Sequence, residues 1–326
     1  MRYFNAFYCA AVVCFVGGLF ACTQNVAGPI SARTDGFVTT NDGVRLYYVE
    51  KGSGPDVLIA PLALYLEPHL LDRLSKKMRV VFYDPRNRGQ SDRADLSSIS
   101  LDRQIQDLEA LRDALGIENM ALLGWSAWGM EMAVYTLRHP DRITRLIQMS
   151  PIPPAASITR EKGSERAEII DRAALETLDR RNDAGEFVEI PDEFCRLRYA
   201  ITDPASFADT RLAKMVPDIC VHENEWRDNI QPYFGALFRS YGEYDLRDDL
   251  KALKIPRLII HGLEDGIPLE GAEAWVAGHP EARLLILSPS GHLPYIEKKE
   301  AVIEAIESFL GGEWPKGAYS IRTEND

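Results

Sequence analysis

The chain has 326 residues, 46% hydrophobic and 26% charged, with a formal net charge of -12 at pH 7. That length and balance suit one α/β domain with an insertion and exclude a disordered or fibrous chain. The acidic surplus argues against a nucleic-acid partner. No phosphate-cradling loop or metal-spaced His/Cys/Asp cluster stands out, so no cofactor and no metal are expected.

Arg2 precedes an apolar stretch, Ala6 to Ala21, that ends in Leu19-Phe20-Ala21-Cys22. One basic residue, a short apolar core and a small residue before the cut describe a secretory signal. The tetrad resembles a bacterial lipoprotein signal. That resemblance implies a leader over residues 1–22, lipidation at Cys22 and an exported protein held at the membrane of the periplasm or cell envelope. Phe20 departs from the pattern, so cleavage after Ala21 or Ala27, or an uncleaved anchor, stays open.

Residues 23–35 read as a polar linker. Phe37 to Thr40 and Val44 to Glu50 alternate around Asn41-Asp42-Gly43, which predicts a hairpin. Val57 to Ala60 and Val80 to Tyr83 are short apolar strands. The run Asp84 to Asp92 follows, dense in turn residues, and reads as a structural tie between loops. Leu101 to Leu115 is an amphipathic helix closed by Gly116. Met120 to Leu123 is apolar, Gly124-Trp125-Ser126 follows, and Met130, Ala133, Val134 and Leu137 recur at helical spacing. Strand, tight turn and helix with a hydroxyl at the apex describe a nucleophile elbow. Ile143 to Met149 is the next strand.

From 152 to 250 the strand pattern disappears. The stretch is charged, helical and dotted with aromatics, and it is too long for a loop. It predicts an inserted helical cap whose aromatics mostly pack the cap itself. Trp226 and Phe234, with Trp125 and Trp128 beside the serine, are expected to line an apolar substrate pocket. Cys195 and Cys220 both fall here, and spacing leaves a disulfide and two buried thiols equally open. Strands resume at Arg257 to His261 and Arg283 to Leu287, and Lys299 to Leu310 is the last helix. The core is therefore 36–151 plus 251–311, with a loosely held polar tail at 312–326. Strands alternating with helices predict a mostly parallel central sheet flanked by helices.

A serine hydroxyl needs a base to take its proton, and the base needs a carboxylate to orient it. Both belong on loops at the carboxyl ends of parallel strands, where the elbow opens. Asp265 and His292 stand on two such loops. Asp265 as a helix cap with Glu264 as the acid is the alternative. His261 ends a strand and reads first as a packing residue, with a place behind the site as the alternative.

The order Ser126, Asp265, His292 and the runs around them resemble the α/β-hydrolase family. The likeness rests on Gly124-Trp125-Ser126, on Asp84, Arg86, Gly89 and Ser91, on Gly262, Asp265 and Pro268, and on Gly291-His292. The cap position and Gly-Trp-Ser most resemble prolyl iminopeptidases and small esterases. The resemblance implies a catalytic triad and a small-molecule or short-peptide substrate cleaved through an acyl-enzyme. Two departures stand out. Trp128 replaces the family's usual glycine two residues after the serine. Ala60-Pro61-Leu62-Ala63 replaces its His-Gly pair, which leaves the Leu62 and Ala127 N–H groups as oxyanion donors, since Pro61 has none. Those departures motivate a rival reading, a weakly catalytic or non-catalytic binding protein, and the same triad leaves cofactor-free haloperoxidase chemistry as a third. For a substrate with a free N-terminus, Glu223, Glu225 or Glu243 is expected to meet the ammonium.

Overall fold

The computed structural model describes residues 32–158 and 166–321. The expected leader and Cys22 lie outside the described residues. Eight strands form one sheet in the order β1-β2-β4-β3-β5-β6-β7-β8. They are β1 Thr34–Thr39, β2 Arg45–Lys51, β3 Val57–Pro61, β4 Arg79–Tyr83, β5 Met120–Trp125, β6 Ile143–Met149, β7 Arg257–Gly262 and β8 Ala282–Leu287. β1 and β2 pair antiparallel across the predicted Asn41-Asp42-Gly43 turn, where Gly43 takes φ 87°. β2 also runs antiparallel to β4, and every pair beyond it is parallel.

Burial explains which strands alternate and which do not. β1 lies at an edge and carries exposed positions along its length. β5 lies mid-sheet with helices on its faces and is buried at all six positions. The helix Leu101–Ala114 begins at Ser100, whose hydroxyl accepts from the Arg103 N–H, and ends before Gly116 at φ 62°. The helix Lys299–Leu310 buries Val302, Ile303, Ala305, Ile306 and Phe309, the stripe its spacing predicts.

The tail differs from expectation. Tyr319 bridges Leu284 of β8, and the Gly278 N–H donates to the Ile321 carbonyl at 3.2 Å. Trp314 packs on Phe309 with ring centroids 5.1 Å apart. An aromatic pair and backbone hydrogen bonds hold its described part, 312–321, which polarity alone marks as loose.

Among the described residues of the cap span, the longest helices are Arg172–Asp183, Pro191–Thr202 and Arg227–Tyr241, with a run of short turns between the last two. Cys195 and Cys220 are joined in a disulfide, both buried, with Cα atoms 5.7 Å apart. The bridge ties the second of these helices to the turn Ile219–Val221, ahead of the third.

Candidate active site

The elbow depends on backbone as much as on its serine. Ser126 holds φ 58° and ψ -127°, a costly region for any residue with a Cβ. The turn closes because Gly124 lacks one: a Cβ there would lie 2.4 Å from the Trp128 carbonyl oxygen. Hydrogen bonds hold the strained residue, with Ser126 N–H donating to the Met149 carbonyl and Gly129 N–H to the Ser126 carbonyl, each at 3.0 Å. The close packing usually served by glycine at 128 has moved one residue on, since a Cβ on Gly129 would sit 2.8 Å from Pro151 Cβ. Trp128 is thereby free to face the cap, edge-on to Phe234 at 6.0 Å between ring centroids.

His292 Nε2 lies 3.0 Å from Ser126 Oγ. Its Nδ1 lies 3.0 and 3.1 Å from the two oxygens of Asp265. A carboxylate facing Nδ1 keeps the proton there and leaves Nε2 as an acceptor toward the serine. Burial pushes the Asp265 carboxyl up, but the charge and hydrogen bond of His292 outweigh it and hold it below the usual carboxylate range. Glu264, the rival acid, accepts instead from Ser288 Oγ at 2.9 Å and Ser290 N–H at 2.7 Å. The following helix is capped at Pro268, so Asp265 does not serve as its cap. His261 does stand behind the carboxylate, its Nδ1 3.8 Å from Asp265 and its Nε2 3.1 Å from the Ile267 carbonyl. Burial lowers its pKa, which favours the neutral ring.

Ser126 and His292 open onto a cavity of about 460 Å³. Leu62, Ala127, Trp125, Trp128 and Phe234 all line it, as expected. Ala127 is the first residue of the helix Ala127–Arg138, so its N–H has no partner within the helix. Leu62 takes φ 66° just before the short helix Ala63–Leu66. Trp226 is a correction. It does not line the cavity, because its indole N–H donates to the Cys220 carbonyl at 2.9 Å and draws the ring to the disulfide side of the cap.

The expected ammonium carboxylates are a second correction. None of Glu223, Glu225 and Glu243 lines the cavity. Glu225 is fully buried and engaged by Arg88, whose Nε and Nη2 each donate to it at 2.9 Å. Burial opposes the Arg88 charge, and Glu225 more than compensates and lifts its pKa. Arg88 also stacks 5.2 Å from the ring centroids of both Trp128 and Phe234 and reaches the cavity wall. The run Asp84 to Asp92 thus ties loops, as expected, and also supplies a wall residue. No spacing rule marks Arg88, because its partner stands 137 positions away.

Asp203 was missed altogether. It opens the turn Asp203–Ser206 after a cap helix and lines both the cavity at Ser126 and an adjoining one of about 390 Å³. Burial lifts its carboxyl to about 7, and no described side chain pairs with it. Among the described residues, no group of three or more His, Cys, Asp or Glu side chains could hold a metal ion.

A mostly parallel eight-stranded sheet with an elbow serine facing an imidazole defines the α/β-hydrolase fold. The profile of the alpha/beta hydrolase fold matches residues 60–172. The chain is 26% identical to a proline iminopeptidase of Heyndrickxia coagulans, over 85% of its own length and 98% of the relative's. It is 27% identical to a non-heme haloperoxidase of Rhodococcus erythropolis, over 78% and 92%. Among solved structures, a serine hydrolase from the polyaromatic-hydrocarbon-degrading Cycloclasticus zankles is similar at a TM-score of 0.65 and 22% identity, covering 86% of this chain and 99% of that one.

Proposed function

We propose that the protein is a serine hydrolase that cleaves a small ester or amide through an acyl-enzyme. The observation that carries this reading is the unbroken hydrogen-bonded line from Ser126 through His292 to buried Asp265 at the wall of the cavity. Ser126 Oγ attacks the carbonyl carbon while His292 Nε2 takes the hydroxyl proton. The backbone N–H groups of Leu62 and Ala127 receive the developing oxyanion. His292 then returns the proton to the leaving alcohol or amine as the carbon–heteroatom bond breaks. Water repeats the sequence and frees the acid. Asp265 holds the ring and offsets its transient charge. The test is a panel of p-nitrophenyl acetate-to-butyrate esters and aminoacyl arylamides, with a fluorophosphonate probe. The absence of both turnover and labelling in the purified protein would sink the proposal.

Asp203 favours a narrower reading in which the substrate carries an ammonium group. A partly buried carboxylate without a partner is costly when ionised, and a bound cation offsets that cost. Asp203 is expected to be half protonated near pH 7 in the empty site. Its affinity for a cation therefore rises as pH rises through that value. KM for an amine-bearing ester should fall across this range, while KM for the matched neutral ester stays level. Asp203→Asn should remove the difference between the two. Equal pH profiles for both substrates in the unsubstituted protein would rule the reading out.

We infer also that the protein is exported and lipid-anchored. The leader-like N-terminus supports this, and so does the cap disulfide, since such bonds persist in oxidising compartments. Mass spectrometry of the native protein should find acylated Cys22 as the N-terminus and Cys195 joined to Cys220. Free thiols on a cytoplasmic, unprocessed chain would overturn it.

A further inference from the structure

The loop carrying His292 finds its backbone partners outside its own strand. The His292 N–H donates to the Ser206 carbonyl of the cap at 2.7 Å. The Trp125 indole N–H donates to the His292 carbonyl at 2.8 Å. Gly291 admits the cap backbone this closely, because a Cβ there would lie 2.5 Å from the Ser206 carbonyl oxygen and 3.0 Å from Ala208 N. Glu297 completes the joint. Its Oε2 accepts the Gly291 N–H at 2.5 Å, and its Oε1 accepts the Asp209 N–H of the cap at 3.1 Å.

We propose that Glu297 is a positioning residue for His292: a single carboxylate bridges the histidine loop and the cap segment Ser206 to Asp209, and so sets the reach of Nε2 to Ser126. The claim rests on the reading of Ser126, His292 and Asp265 as the reacting set. Both Glu297 oxygens face N–H donors, a task for an acceptor-only group. Bonds to an ionised acceptor are roughly twice as strong as neutral ones. Glu264 cannot stand in, since its oxygens are engaged one residue earlier, at Ser290, and at Ser288. Loss of the bridge frees Gly291, the residue immediately before the imidazole, and leaves the Asp209 N–H of the cap without its acceptor.

Glu297→Gln tests this, because it keeps size and shape while turning one acceptor into a donor that meets an N–H head-on. The expected result is a fall of about ten- to a hundred-fold in kcat, the scale of an ångström-sized misplacement. The rate of fluorophosphonate labelling should fall with it. Both falls should be equal for a small and a larger ester, with KM nearly unchanged and protein counted by active-site titration. Glu297→Asp keeps the charge and both oxygens and should lie between the two; if the Gln variant does not fold, the Asp variant measured against the unsubstituted protein carries the test. Unchanged kcat per titrated site overturns the proposal even where the melting temperature drops, and so does an effect confined to KM. Ser126→Ala run alongside separates the failures: a labelled Ala variant would bring down the reading of the site, whereas a silent one beside a fully active Glu297→Gln would bring down the positioning claim alone.

Discussion

Ser126→Ala is expected to abolish fluorophosphonate labelling and to lower ester turnover by about a millionfold, or roughly 8 kcal/mol of barrier. The size follows from the chemistry removed. Without the oxygen there is no acyl-enzyme, and His292 can only assist water that no elbow positions. Alanine isolates the hydroxyl well, because it keeps the Cβ that makes φ 58° costly and leaves the Gly124 approach unchanged. The fold should therefore melt as before. What remains should be the part of catalysis supplied by the oxyanion donors and by binding. Turnover of the Ala variant within about a hundredfold of the parent would move the nucleophile elsewhere. Burst kinetics with a p-nitrophenyl ester provide the independent check: the parent should release a stoichiometric burst if deacylation is slow, and the Ala variant none.

Glu225→Ala should destabilise the protein by about 3–5 kcal/mol, a large share of the 5–15 kcal/mol that a domain commands. Arg88 is 2% exposed and Glu225 fully buried, so truncating the acid leaves an almost wholly buried guanidinium without its counter-charge. The same cut orphans the Gly89 N–H, which donates to Glu225 Oε1 at 2.9 Å. The attraction between the two charges largely repays their own desolvation, so the intact pair adds little by itself; the loss comes from breaking it. A double variant, Arg88→Met with Glu225→Leu, should therefore recover at least half of the deficit. Urea unfolding of parent, single and double variants reads both results. A single variant that loses less than about 1 kcal/mol would mean that Arg88 has found another partner or reached solvent. The effect reaches function as well, because Arg88 and the rings of Trp128 and Phe234 share the cavity wall.

Local pattern was enough for much of the core. The hairpin, the parallel strands, the elbow and the final helix follow from periodicity and turn residues, because each is decided within a dozen neighbours. Ser126, His292 and Asp265 were legible because loops after parallel strands open on one rim, and that rim is set by topology. Ala127 and Leu62 follow the same logic through the elbow and the loop after β3.

The cap was not legible in that way. Its three helices have polar, charged faces, and which face turns toward Ser126 depends on partners far along the chain. Trp226 is aromatic and next to a buried acid, yet a carbonyl at Cys220 drew it away from the cavity. Glu225 has the charge to meet a cationic substrate, yet Arg88 holds it inside the protein. Asp203 carries no local signal at all, and only packing buries it, away from any partner among the described side chains, and lifts its pKa. Sequence alone therefore determined the sheet, the elbow and the meeting of Ser126, His292 and Asp265 at one rim, since short-range sterics and the strand period dictate them. The tertiary structure alone decided which cap residues face the cavity, that Cys195 and Cys220 pair, and that Glu297 holds the histidine loop. Each of those is a contact between segments whose spacing along the chain carries no information about their distance in space.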